Sequence, residues 1–239
     1  FVGDFINRGP QSVEVLTLVK SLCESGDAIA VLGNHEFRLI QNSVEGKKVP
    51  AEFEPFIPWL RTLPLFMELD TLRIVHAVWH FSSIELLEGK SVKEDAFIKE
   101  TIVKKSPYKK AVSRILSGIK INIPEDLKLI DRFGIERPKG RLKWWLDLRG
   151  KPYADCFLSP MEPDILNRGP AIDELSDLEP YNEKDKPVFT GHYCLPPNLP
   201  KISGNVVCLD GCVTCDKTLW GYRHQGTKKG HASSLIEAS

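Results

Sequence analysis

Six residues combine a type that can hold a metal ion or a phosphate with a telling place in the sequence: Asp4, Arg8, Asn34, His35, His76 and His192. Asp4 and Arg8 lie in Gly3-Asp4-Phe5-Ile6-Asn7-Arg8-Gly9, and Asn34 and His35 in Gly33-Asn34-His35-Glu36. His76 lies in Val75-His76-Ala77 and His192 in Thr190-Gly191-His192. An aspartate can bridge two cations, a neutral imidazole suits manganese, iron or zinc, and an asparagine carbonyl ligates without adding charge. Two such ions about 3.5–4 Å apart clamp a phosphoryl group and lower the pKa of a bound water. Arg8 can meet phosphate oxygens as a planar fork. A glycine precedes Asp4, Asn34 and His192, though not His76. It lets the backbone turn sharply close to an ion.

The elements around these residues alternate in a βαβ rhythm, which predicts a layered α/β domain. Phe1 to Asp4 reads as the end of a buried strand. Ser12 to Glu24 has helical spacing at 15, 18, 19 and 22, with Ser12 as N-cap and Gly26 as stop. Ala28 to Leu32 is an apolar run of strand length, and Asn34 to about Ile40 reads as a helix. Glu52 to Pro64 is expected to be irregular and helical. Leu65 to Leu69 and Leu72 to Trp79 are expected to be strands joined at Asp70-Thr71. Lys93 to Gly118 reads as two helices broken near Ser106-Pro107. Pro187 to Gly191, Asn205 to Leu209 and Thr218 to Arg223 read as the remaining strands, the last two joined by a turn near Asp216-Lys217. Asp4, Asn34 and His192 thus fall at or after strand ends and His76 within or just past one, and open α/β sheets bind ligands at the C-terminal ends of their strands.

Gly-Asp-x-x-x-Arg-Gly followed about 30 residues later by Gly-Asn-His-Glu resembles the calcineurin-like metallophosphoesterases. The wording Gly-Asp-Phe-Ile-Asn-Arg-Gly-Pro is most similar to the branch holding the phosphoprotein phosphatases and the symmetrical diadenosine tetraphosphate hydrolases. The resemblance covers positions 1–45, 65–80 and 187–223. It implies a fold of two facing sheets flanked by helices, with a cap insertion over about 80–186. It also implies two divalent metal ions, manganese favoured over iron or zinc. Asp4 would bridge both ions, and Asn34, His76 and His192 would complete one site. Arg8, helped by Asn34, would hold the phosphate, and His35 would be the general acid. A metal-bound hydroxide would attack phosphorus.

Two departures stand out. The family's opening Gly-Asp-x-His-Gly is absent, which implies a chain truncated at its N-terminus that holds its first metal poorly. Phosphoprotein phosphatases carry Asp where Asn7 stands, which favours a small nucleotide or dinucleoside polyphosphate as substrate. A protein serine/threonine phosphatase is the alternative, and a degenerate phosphate- or partner-binding member a second one.

Lys plus Arg and Asp plus Glu are 32 each, so the net charge is zero. A broadly basic nucleic-acid binder and a polybasic membrane-surface protein are excluded on that ground. No apolar run is long enough to span a bilayer. The six cysteines are expected to be thiols in the reducing cytoplasm. Cys212-Val213-Thr214-Cys215 is read as strand and turn, with packing rather than redox or zinc chemistry. His80 is expected to be structural, and His224 and His231 solvated. Arg132, Arg137, Lys139, Arg141, Lys143 and Arg149 with Trp144-Trp145 form a basic, aromatic stretch. It would either bind a second phosphate or stack a base, or be a solvated face over a Trp-anchored minor core. Arg168 is a further phosphate candidate. One domain is expected over 1–224, with a flexible tail over 225–239.

Overall fold

A computed structural model describes residues 1–131, 133–159, 161, 166–195, 199–227 and 229–238. Arg132 of the basic stretch lies outside them. The chain begins in extended backbone and enters helix α1 (Ser12–Glu24). Its buried stripe is Leu16 and Val19, whereas Val15 and Leu18 are exposed. The N-cap is Gln11; the Ser12 hydroxyl instead accepts a hydrogen bond from the Asn7 amide at 3.1 Å. Gly26 closes the helix with a left-handed φ of 82°, a conformation that costs glycine little.

Ala28 to Leu32 is extended but joins no ladder. Two of its hydrogen bonds are shared with Phe1, whose amine donates to the Ile29 carbonyl and whose carbonyl accepts from the Val31 amide, and the Leu32 amide donates to Pro64. Phe1 to Asp4 likewise lies outside the strands. Helix α2 (Asn34–Val44) follows, one turn longer than its pattern suggests, then a 3-10 turn (Glu54–Phe56) and α3 (Ile57–Leu60). Strands β1 (Phe66–Glu68) and β2 (Arg73–Val75) pair antiparallel around the expected turn. Helices α4 (Phe81–Leu87), α5 (Asp95–Glu100) and α6 (Pro107–Ser117) come next. Ser106 caps α6 by accepting from the Tyr108 amide.

The region after α6 holds β3 (Lys120–Asn122) and β4 (Lys139–Arg141), an antiparallel ribbon, and the short α7 (Tyr153–Cys156). Strand β5 (Val188–Thr190) then pairs parallel to β2, and β7 (Val206–Cys208) parallel to β5. Strand β6 (Ile202–Ser203) closes the edge antiparallel to β7. The main sheet therefore runs β1-β2-β5-β7-β6. Strands β5 and β7 are buried at every position, as continuous apolar runs covered on both faces should be. The result is a mixed, mostly buried sheet with flanking helices, a layered α/β domain.

Four expectations for the cysteines and the chain end are revised. Cys194 and Cys212 form a disulfide, so these two are not thiols. Cys212 caps helix α8 (Val213–Asp216), so the Cys-x-x-Cys pair sits at a helix start, with the Cys212 and Cys215 sulfurs 3.3 Å apart. Strand β8 (Leu219–Tyr222) leaves that helix, not a simple turn, and pairs with β9 (Leu235–Ala238), within the segment read as a tail. His224 is half-buried, edge-on to Phe189, instead of solvated.

Candidate metal centre

His76 follows β2 and His192 follows β5, two adjacent parallel strands. Both therefore arrive at the same C-terminal sheet edge. Asn34 opens α2. Asp4 reaches the edge from the loop before α1, in left-handed backbone with φ 59°.

That loop is held by Glu36, a fully buried carboxylate. It accepts from the amides of Gly33 at 3.0 Å, Asp4 at 2.9 Å, Phe5 at 2.8 Å and Ile6 at 3.2 Å. Burial and the Asp4 charge push its pKa up, opposed by His76 and the amides of Asp4 and Phe5. Gly33 is needed for the same contact, because a Cβ there would strike the Asp4 side chain and amide. No role for Glu36 is expected from its motif. The available signal was a carboxylate three residues after the pre-helical glycine, the spacing of a capping box.

The Nδ1 of His76 lies 2.6 Å from the Val2 carbonyl, which can only accept, so this nitrogen donates. In the neutral ring Nε2 is then a lone pair. It faces Asp4 Oδ1 at 3.3 Å and Asn34 Oδ1 at 3.3 Å, with His192 Nδ1 at 3.2 Å. One ligand atom each from Asp4, His76 and His192 lie within 4.8 Å of one another. Asn34 satisfies the two imidazoles by hydrogen bonding only when its amide nitrogen is turned inward. With its oxygen inward, the acceptors converge with no proton donor among them. A cation satisfies that arrangement, and the mixed O and N set suits a borderline divalent ion.

The same field draws protons. Burial would lower the His76 pKa, but the hydrogen bond and charge of Asp4, the Val2 carbonyl and Glu36 raise it. Burial would raise that of Asp4, yet the His76 hydrogen bond and the charges of His76, His35 and His192 bring it to about 2. His192 is pushed well down by burial, then by His76 and Arg141. It is therefore neutral, as a ligand must be.

Around this cluster, His35 places Nε2 3.9 Å from Asp4 Oδ2. Its Nδ1 lies 2.7 Å from the Asn7 amide nitrogen. Asn7 thus donates to the ring instead of accepting from it, which leaves the proton of the neutral imidazole on Nε2. Arg8 is exposed beside them with φ 62°. The structure thus brings together Asp4, Asn34, His35, His76 and His192, with Arg8 in the same loop as Asp4. Arg168 is not drawn in: its guanidinium pairs with Asp126 at 2.7 Å. His80 is structural, accepting from the Ser83 amide and donating to the Asp177 carbonyl.

The calcineurin-like phosphoesterase family model matches residues 1–196. This chain belongs to the calcineurin-like phosphoesterases. Divalent metal ions are the cofactors of that family. Among its relatives is a symmetrical bis(5'-nucleosyl)-tetraphosphatase of Ralstonia nicotianae, 38% identical over 88 residues. That match covers 32% of this chain and spans only 31% of the relative's length. A Vibrio vulnificus protein of the same name is 28% identical over 232 residues, 88% of this chain and 78% of that protein. Among the described residues of this calcineurin-like phosphoesterase, no helix is long and apolar enough to cross a membrane.

Proposed function

We propose that this chain is a metal-dependent hydrolase of phosphate esters or anhydrides, acting on a small dinucleoside polyphosphate. The observation that supports it best is the convergence of Asp4, Asn34, His76 and His192 acceptor atoms beside the exposed Arg8. The names of the relatives favour the dinucleoside substrate class. In this reading Asp4, Asn34, His76 and His192 would hold the divalent ions, manganese favoured, with Asp4 placed to serve both of two sites. The ions supply Lewis-acid charge against phosphate oxygens and a water of lowered pKa.

The chain's own residues do the rest. Arg8 forks onto non-bridging oxygens and orients the phosphate, with the Asn34 amide beside it. His35 would act as the general acid as its imidazolium, giving the Nε2 proton to the leaving oxygen and leaving the neutral ring. The Asn7 side chain, 2.7 Å from Nδ1, would then turn its oxygen to accept from that nitrogen. Glu36 keeps Asp4 in a conformation that a β-carbon residue adopts reluctantly.

The test is Mn²⁺-dependent phosphate release from p-nitrophenyl phosphate, diadenosine tetraphosphate and a phosphoserine peptide by the full-length protein. The expected result is preference for the dinucleotide and loss of turnover by a factor of about 100 or more in Asp4→Asn. Preference for the peptide would make the chain a protein phosphatase. A folded, metal-loaded protein inert toward all three would overturn the hydrolytic reading in favour of a binding member.

A further inference from the structure

The β3–β4 ribbon carries a charge arrangement that its own fold does not explain. Lys120 stands directly opposite Arg141 across the ladder, and Asn122 opposite Lys139. Strand alternation puts all four side chains on one exposed face. The other face is buried, with Ile121 in the core and Gly140 pressed so closely on the Phe157 ring that no Cβ would fit. Like charges directly opposite each other destabilise a ladder. Among the described residues no carboxylate lies in ion-pair contact with Arg8, Lys120, Lys139 or Arg141. Asp131, the acid that most offsets Arg141, is already taken by Arg137 at 2.6 Å.

The ribbon is rooted at the metal centre. The Asn34 carboxamide lies 3.3 Å from the Leu116 carbonyl at the end of α6. The amide of Ala77, next to His76, donates to Ile115 at 2.9 Å. The ring of Tyr193, next to His192, lies against the Cα of Gly118, and its hydroxyl donates to the Ala77 carbonyl at 3.1 Å. Leu142 then donates to Ile119, which starts the ribbon. One candidate ligand, Asn34, and two sequence neighbours of ligands, Ala77 and Tyr193, thus fix where Lys120 and Arg141 emerge. The field agrees with this placement. Burial lowers the Arg141 pKa, Tyr193 opposes, and the charges of Arg137 and Arg8 lower it further. Burial lowers that of Lys120 too, followed by Arg141, Lys139 and Arg137.

We propose that Lys120, Lys139 and Arg141 form an anion subsite which, with Arg8, holds the distal phosphates of a polyphosphate chain whose reacting phosphate lies at the Asp4–His76–His192 cluster. This rests on the reading of that cluster as a phosphohydrolase site and adds a selection by phosphate number. A single phosphate meets Arg8 and the cluster alone. A chain of three or four phosphates extends over the ribbon and neutralises cations that otherwise repel one another. The ribbon replaces the base-stacking alternative for this stretch, since Trp144 is fully buried and packs on Trp145 and Tyr181.

The experiment is calorimetric titration of full-length protein, freed of divalent metal, with inorganic tripolyphosphate and with orthophosphate. Wild type is compared with the double variant Lys120→Gln/Arg141→Gln and with Lys48→Gln, loss of an exposed cation outside the ribbon. The expected result is tripolyphosphate bound more tightly than orthophosphate, and about tenfold or more weakened in the double variant alone. A shallower salt dependence should accompany the loss, and Lys120→Arg/Arg141→Lys should restore the affinity. Equal affinity for the two anions, an unchanged double variant, or an equal loss in Lys48→Gln would overturn the subsite. The two proposals separate cleanly. Ribbon-dependent tripolyphosphate binding by a protein inert toward all three substrates keeps the subsite and sinks the hydrolase. Hydrolysis with an unchanged double variant does the reverse.

Discussion

Glu36 shapes the candidate metal centre without adding a ligand to it. Four amides from two segments close on its carboxylate, and Asp4 is presented as a result. Replacing it with Gln keeps the size and one acceptor oxygen but turns an amide NH₂ toward N–H donors. Hydrogen bonds to a charged group are worth about 1.5–3 kcal/mol each, and a mispaired buried group adds its own penalty. Glu36→Gln is therefore expected to lower unfolding free energy by about 2–3 kcal/mol, measured by urea denaturation. It should also weaken divalent-ion binding by about 10–100-fold, the usual effect of removing an outer partner. Unaltered ion affinity would mean that the Asp4 loop holds its shape alone. At this scale the residues that converge at the sheet edge were legible. Asp4, Asn34, His76 and His192 all lie in recognisable motifs, whereas Glu36 acts through tertiary hydrogen bonds spanning about 30 residues, which spacing cannot show.

Helix α6 and the loop at Asp177 show what an ion pair does between elements. Lys110 and Arg114, one turn apart on α6, both meet the Asp177 carboxylate, and the Asp177 carbonyl accepts from His80. Burial alone would raise the Asp177 pKa, but the hydrogen bonds and charges of the two cations hold it below 3.8. A carboxylate with a depressed folded-state pKa adds stability above its unfolded value, and this is lost as pH falls through the folded one. The stability gap between wild type and Asp177→Asn, followed by urea unfolding, should thus be present at neutral pH. It should close on acidification below 3.8. A gap that persists into strong acid would assign the effect to packing. The helices themselves were readable from period and capping, as α1 and α6 illustrate. The ribbon was not. Its strands are three residues long, too short for alternation to register, and the inward position of β4 is Gly140, where an apolar residue would have signalled a strand. Ala28 to Leu32 erred the other way: its composition is that of a strand, but it meets its neighbour through Phe1 alone and forms no ladder.

For the molecule as a whole, the site joins three parts of the chain that fold together only at long range. The Asp4 loop, the two strand ends and the root of the ribbon meet at one sheet edge. A divalent ion that binds this assembled state and not the unfolded chain must stabilise it, by about 2.7 kcal/mol at a hundredfold excess over its dissociation constant. Melting temperature should rise with Mn²⁺ and fall back on chelation, and Asp4→Asn should respond to neither. A rise of equal size in that variant would place the ion elsewhere. The layered fold was visible from the order of helices and apolar runs. The Cys194–Cys212 disulfide and the pairing of β8 with β9 were not, because each depends on which distant segments meet.

The Val2 carbonyl has a last consequence. It selects the tautomer of His76 from the main chain, so every residue type at position 2 supplies the same oxygen. A saturation-substitution library scored for metal binding would mark His76 as intolerant and remain blind to the atom that orients it. Only a change to the peptide group itself, such as an ester linkage introduced after Val2, would expose that dependence.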